Sequence, residues 1–149
     1  MTRTILAFAL ASSFFAPSAA AQDTTAVRTV VDAFFAALNT RDTVAMALTM
    51  TESVRLVAVD LDHPEKAPMV VERTTYFKGL TTGTDTFNER YWDPHYTLDA
   101  GIALFWAPYE FKVNGAFSHC GHNALDLVRT PEGWRISGGV FSMQRSNCP

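Results

Sequence analysis

The dipeptide Asn114-Gly115, lying between two long runs of aromatic and β-branched residues, constrains this chain more than any other feature. Both residues accept the left-handed backbone of a type I′ turn, whose twist matches that of paired strands. The segment therefore predicts a hairpin of antiparallel strands over Ile102 to Val113 and Ala116 to Thr130. Further strands are expected over Phe87 to Leu98 and Trp134 to Met143, with Asp99-Ala100-Gly101 and Pro131-Glu132-Gly133 as the intervening turns. Ahead of them, Val27, Val30, Val31, Phe34, Phe35 and Leu38 recur at the spacing of one helix face, with Asp23, Thr24 and Thr25 as N-cap residues. A short helix is expected after Arg41-Asp42, a strand over Glu52 to Asp60, an exposed loop from Asp60 to Pro68, and a third helix over Val70 to Leu80. Helices first and a strand meander afterwards make an α+β domain. With 48% hydrophobic and 18% charged residues the chain has the apolar surface to build one core.

Residues 1–21 read as a secretory signal. Arg3 is the lone charge, Ile5 to Phe15 is an apolar core too short to span a bilayer, and Ala19-Ala20-Ala21 are the small residues a signal peptidase accepts. The expected mature chain is residues 22–149, a single domain, secreted or periplasmic, with no later apolar run of membrane length. Cys120 and Cys148 both fall within it, and an oxidising compartment favours a disulfide between them over two unpaired thiols. Two cysteines are too few for a cysteine-rich zinc site, and their spacing is not that of a CxxC redox centre. The formal charge of −3 gives no basic excess for a phosphate backbone or an anionic bilayer, so neither nucleic acid nor membrane is an expected partner.

Counting outward from a two-residue loop at Asn114-Gly115 sets Tyr109 opposite Cys120, Ala107 opposite His122 and Glu110 opposite His119. One face then carries Phe105, Ala107, Tyr109 and Phe111 beside Cys120, His122, Ala124 and Asp126, joined by Trp134, Ile136, Gly138 and Val140 if the last turn holds a glycine bulge. The other carries Leu104, Trp106 and Glu110 beside His119, Asn123, Leu125 and Leu127. A slip of one residue exchanges the two faces. Both are rich in apolar bulk and short helices cover only one, so a homodimer through the other is expected. The small residues Ala107, Ala124 and Gly138 leave room for a pocket between sheet and helices.

In that register His122 and Asp126, four apart on one strand and near Tyr109, make either a general-base or ligand-orienting group or a hydrogen-bonded cluster at the core edge. His119 with Trp106, Glu110 and Asn123 is the alternative polar-ligand site on the opposite face, against plain cross-strand contacts. A metal site is disfavoured, because His119 and His122 leave a strand on opposite faces. The chain has no Gly-x-Ser-x-Gly elbow, phosphate loop, dinucleotide fingerprint or His-Glu-x-x-His helix, and no cofactor is implied. A thiol nucleophile at Cys120 is disfavoured by its expected oxidation.

Phe34-Phe35-Ala36-Ala37-Leu38-Asn39, Trp106-Ala107-Pro108-Tyr109-Glu110-Phe111, Gly115-Ala116-Phe117-Ser118-His119-Cys120-Gly121 and Gly133-Trp134-Arg135-Ile136 together resemble the nuclear transport factor 2-like superfamily, which includes SnoaL-like and ketosteroid-isomerase-like proteins. They look most like its secreted lumazine-binding branch, in which a closing cysteine also fits the pairing of Cys120 with Cys148. The resemblance implies a cone-shaped, cystatin-like α+β fold: three N-terminal helices packed on a curved, mostly antiparallel sheet, an apolar pocket between them, and dimerisation through the outer sheet face. Members include isomerases, cyclases and dehydratases as well as proteins that only bind. The leading expectation is a secreted, dimeric protein that binds a small apolar or aromatic molecule, with Tyr109, His122 and Asp126 as polar contacts and Trp106 and His119 as alternatives. An enzyme using His122 or Asp126 as general base with Tyr109 steadying an oxyanion, and an interaction module with a closed pocket, are the rival expectations.

Overall fold

The computed structural model describes residues 19–149, so the expected signal over residues 1–21 lies outside it except for its last three alanines. Helix α1 (Ala19–Thr40) begins ahead of Asp23, Thr24 and Thr25, which are therefore not its N-caps. Its apolar stripe is the predicted one, with Val27, Val31, Phe34, Phe35 and Leu38 buried. Arg41, in the left-handed region at φ 57°, turns the chain, and Asp42 caps α2 (Thr43–Ala47) by accepting from the Val44 and Ala45 amides at 2.9 Å. Strand β1 (Met50–Asp60) follows, then the exposed 61–68 loop.

The expected helix over Val70 to Leu80 divides into β2 (Met69–Glu72) and α3 (Arg73–Thr81). Val70 and Val71 suit a strand, and the open edge of β1 supplies the pairing, Leu56 to Val71 and Val57 to Val70. The expected strand over Phe87 to Leu98 likewise divides into β3 (Phe87–Tyr91) and β4 (His95–Asp99). Asp93, at φ 44° before Pro94, kinks the chain there, and both halves pair with one edge of β5.

Strands β5 (Ile102–Val113) and β6 (Ala116–Thr130) have the predicted bounds, and β7 (Gly133–Met143) extends the prediction by one residue. Asn114 and Gly115 take φ 52° and 79°, as a type I′ turn requires. The sheet runs β2-β1-β7-β6-β5-β3, with β4 also on β5, and is antiparallel except for the β1 and β7 pair. The fold class is α+β, three helices on a mostly antiparallel sheet.

The expected register holds only for the first pairs of the hairpin. Val113 faces Ala116 and Lys112 faces Phe117 as expected, but Phe111 faces His119, so Ser118 bulges out. Beyond the bulge Tyr109 pairs with Gly121, Glu110 with Cys120 and Ala107 with Asn123, one residue away from the predicted partners. A second shift, between Asp126 and Leu127, leaves Ser137 unpaired on β7. Trp134 and Ile136 thus share the inner face with Gly139 and Phe141, while Gly138 and Val140 lie on the outer one.

The inner face, covered by the helices, carries the core: Phe105, Ala107, Leu125, Leu127 and Ile136 against Phe34, Phe35 and Leu38 of α1. Phe105 is surrounded by Phe35, Tyr91 and Tyr96, with ring centroids 5.2 to 6.0 Å away. Cys120 and Cys148 are disulfide-bonded, Cα atoms 5.7 Å apart, which ties the C-terminal tail to β6.

Candidate functional site

A cavity of about 450 Å³ lies between the inner sheet face, α1, β2 and α3. Phe34, Leu38, Leu56, Leu80, Phe87, Phe111, Leu125 and Phe141 make it mainly apolar, and Met69 and Gly79 stand at its exposed rim. The polar lining is sparse: Thr75 and Tyr76 from α3, Glu89 from β3, Tyr109 from β5, and His119 and Asn123 from β6.

Glu89 is the centre of this group. Its backbone is clamped by Asn39 at the end of α1, whose side chain donates to the Glu89 carbonyl at 2.9 Å and accepts from the Glu89 amide. Its carboxylate accepts from the Asn123 side-chain amide at 2.8 Å. Burial pushes the carboxyl up to about 7, against the opposing pull of the Asn123 bond. Burial, together with the Glu89 charge, raises the phenols of Tyr76 and Tyr109, so both stay protonated. Tyr109 donates to the Ser142 carbonyl at 2.8 Å, whereas the Tyr76 hydroxyl has no hydrogen-bond partner among the described residues. His119 is held below its ordinary value by burial and by Arg145, with Asp60 opposing, and its Nδ1 lies 3.0 Å from the Ser118 hydroxyl.

The structure divides the predicted site residues between two surfaces. Tyr109 and His119 line the cavity, with ring centroids 5.8 Å apart, and Asn123 joins them. His122, Asp126 and Trp106 are on the outer face, where the His122 ring stacks on Trp106 at 4.9 Å. The Ser118 bulge is the reason, since it swaps the faces of β6 relative to β5 for every residue beyond it. Glu89 was not among the predicted residues. Its signal was an acid in the alternation Phe87, Glu89, Tyr91, where the inward positions are otherwise aromatic.

No group of three or more histidine, cysteine or carboxylate side chains suited to a metal ion occurs among the described residues. No described helix is long and apolar enough to cross a membrane.

No protein-family profile matches the sequence, and no curated protein matches it significantly. Solved structures match over most of the chain. A candidate dehydratase of the nuclear transport factor 2-like family from Streptomyces avermitilis superposes with a TM-score of 0.66 at 17% identity, covering 85% of this chain and 99% of its own. A nuclear transport factor 2-like protein with a cystatin-like fold from Novosphingobium aromaticivorans gives 0.66 at 15% identity, covering 86% of each chain. A candidate aromatic ring hydroxylase from the same species gives 0.64 at 16% identity, over 85% of this chain and 92% of its own. The chain therefore has the cystatin-like, nuclear transport factor 2-like fold. At 15–17% identity these neighbours show the fold alone, and they give no support to the lumazine-binding branch.

Proposed function

We propose that this chain, built on the nuclear transport factor 2-like fold, is a secreted small-molecule-binding protein. Its apolar or aromatic ligand sits between the sheet and helices α1 and α3 and meets Glu89 and Asn123 with its polar end. The observation that carries this reading is the cavity itself, about 450 Å³, apolar in its walls with a few converging polar groups. That size and composition are those of sites that enclose small organic molecules. The same observation disfavours an interaction module with a filled interior. The disulfide between Cys120 and Cys148 supports an oxidising compartment and hence secretion.

Gly79 provides the test. A Cβ built there meets no atom within 4 Å, so Gly79→Phe introduces a ring at the rim of the cavity without a backbone clash. Titration with the neutral apolar fluorophore Nile red is expected to show saturable binding to the wild type and none to the variant. Equal binding by both proteins overturns the reading, and native mass spectrometry of protein purified from its own source then identifies any retained molecule.

A second reading, an enzyme that moves a proton within the cavity, is favoured by one observation, the Glu89 carboxyl pushed up to about 7. In this reading Glu89 replaces His122 and Asp126 as the base, because those two lie on the sheet face away from the cavity. Turnover that rises through an apparent pKa near 7 and vanishes in Glu89→Gln is its expected signature.

A further inference from the structure

We infer that the ligand of this cavity is an apolar molecule bearing a protonated amine, its ammonium group on the Glu89 carboxylate and its body among Phe34, Phe87 and Phe111. The inference rests on the pocket reading above and names the chemical class of the occupant.

Charge is the first reason. Glu89 is the single carboxylate of the lining, and no arginine or lysine lines the cavity. The one basic group present, His119, is biased to its neutral form by burial and by Arg145. An anionic ligand would bring a second negative charge into an apolar enclosure, where repulsion is weakly screened. A cation on the same spot neutralises the carboxylate instead.

Hydrogen bonding points the same way. The Asn123 amide nitrogen is already engaged on one Glu89 oxygen at 2.8 Å, and the Tyr109 hydroxyl proton on the Ser142 carbonyl. The second Glu89 oxygen and the Asn123 carbonyl oxygen accept nothing from the described residues. The Glu89 and Asn123 oxygens of the lining therefore offer open acceptors, while Thr75 and Tyr76 from α3 offer hydroxyls with no partner among the described residues and Asn39 from α1 holds only the backbone. An ammonium carries three donors and no acceptor, which complements that set. The aromatic walls suit the apolar body of such a ligand: Phe87 and Phe111 have centroids 5.4 Å apart, and Tyr76 stacks on Phe34 at 6.4 Å.

Isothermal titration calorimetry of the mature protein with naphthylethylamine, naphthylethanol and naphthylacetate, above the Glu89 pKa, separates the possibilities. The amine is expected to bind about tenfold or more tightly than the carboxylate, with the alcohol between them. In Glu89→Gln the advantage of amine over alcohol is expected to disappear while the alcohol still binds. A carboxylate that binds as tightly as the amine, or an amine preference kept in Glu89→Gln, overturns the inference and leaves the pocket reading standing. Failure of all three compounds to bind overturns both. The wild-type ranking decides the matter even if the variant does not fold.

Discussion

At the residue scale the informative group is Glu89, because its carboxyl is raised from an ordinary 4.5 to about 7 by burial. A carboxyl whose pKa rises on folding binds its proton more tightly in the native state. Folding stability is therefore lost as pH climbs through that window, and the loss is complete above about 7. Glu89→Gln keeps an acceptor for Asn123 and removes the ionisation. The variant is expected to be more stable than the wild type by about 1–3 kcal/mol on the alkaline side, with the gap closing as pH falls below the ordinary carboxyl range. Thermal unfolding of both proteins across that pH range checks it, and a gap that widens towards acid would sink the assignment. Glu89 was open to view in the sequence as an acid on an aromatic strand face, but a five-residue strand beside Trp92-Asp93-Pro94 announces no direction. Only the clamp by Asn39, fifty residues earlier, and the bond from Asn123 fix it as a cavity group.

At the scale of elements, what is local was legible and what depends on pairing was not. Asn114-Gly115 sets its turn from its own backbone preferences, so the bounds of β5 and β6 follow from the chain alone. The bulge at Ser118 has no comparable mark, yet it decides which face every later residue of β6 occupies, and so whether His122 or Asn123 lines the cavity. The β2 segment escaped notice for a related reason: its four residues become a strand by pairing with the edge of β1. Gly121 shows how closely β6 and β7 approach past the bulge, since a Cβ there would lie 2.1 Å from the Ser142 carbonyl oxygen. That oxygen also accepts the Tyr109 hydroxyl, so the close approach of the two strands helps position a cavity residue. Gly121→Ala must push the backbone of β7 aside and is expected to destabilise the fold by about 2 kcal/mol or more, with Nile red affinity falling alongside. A variant that melts like the wild type in denaturant would show that β7 can shift freely.

For the molecule as a whole, two features act beyond any single element. The disulfide closes a span of 28 residues and anchors the tail beside the bulged end of β6. On the chain-entropy account Cys148→Ser is expected to lower stability by roughly 3–4 kcal/mol in denaturant titrations, a loss that reducing agent should reproduce in the wild type. The second feature is the outer sheet face. Val70, Val57, Val140, Ala124 and Trp106 line up across five strands in register, and Trp106 and Val140 are 49% and 47% exposed. Leu104, 51% exposed, extends the strip on β5. The three described helices lie on the inner face, and among the described residues none of them covers this row. Burial of such a strip against its own image would remove it from water in a closed, two-fold arrangement, which makes a homodimer the predicted state. Trp106 stands at the end of that row with its ring held on His122, so Trp106→Asp sets a charge against its own copy without touching the cavity. Sedimentation equilibrium is expected to give twice the chain mass for the wild type and the single mass for Trp106→Asp, with the two proteins binding Nile red alike. A wild type that sediments as a monomer at micromolar concentration would mean that the apolar strip is left in water, and the predicted dimer would fall with it.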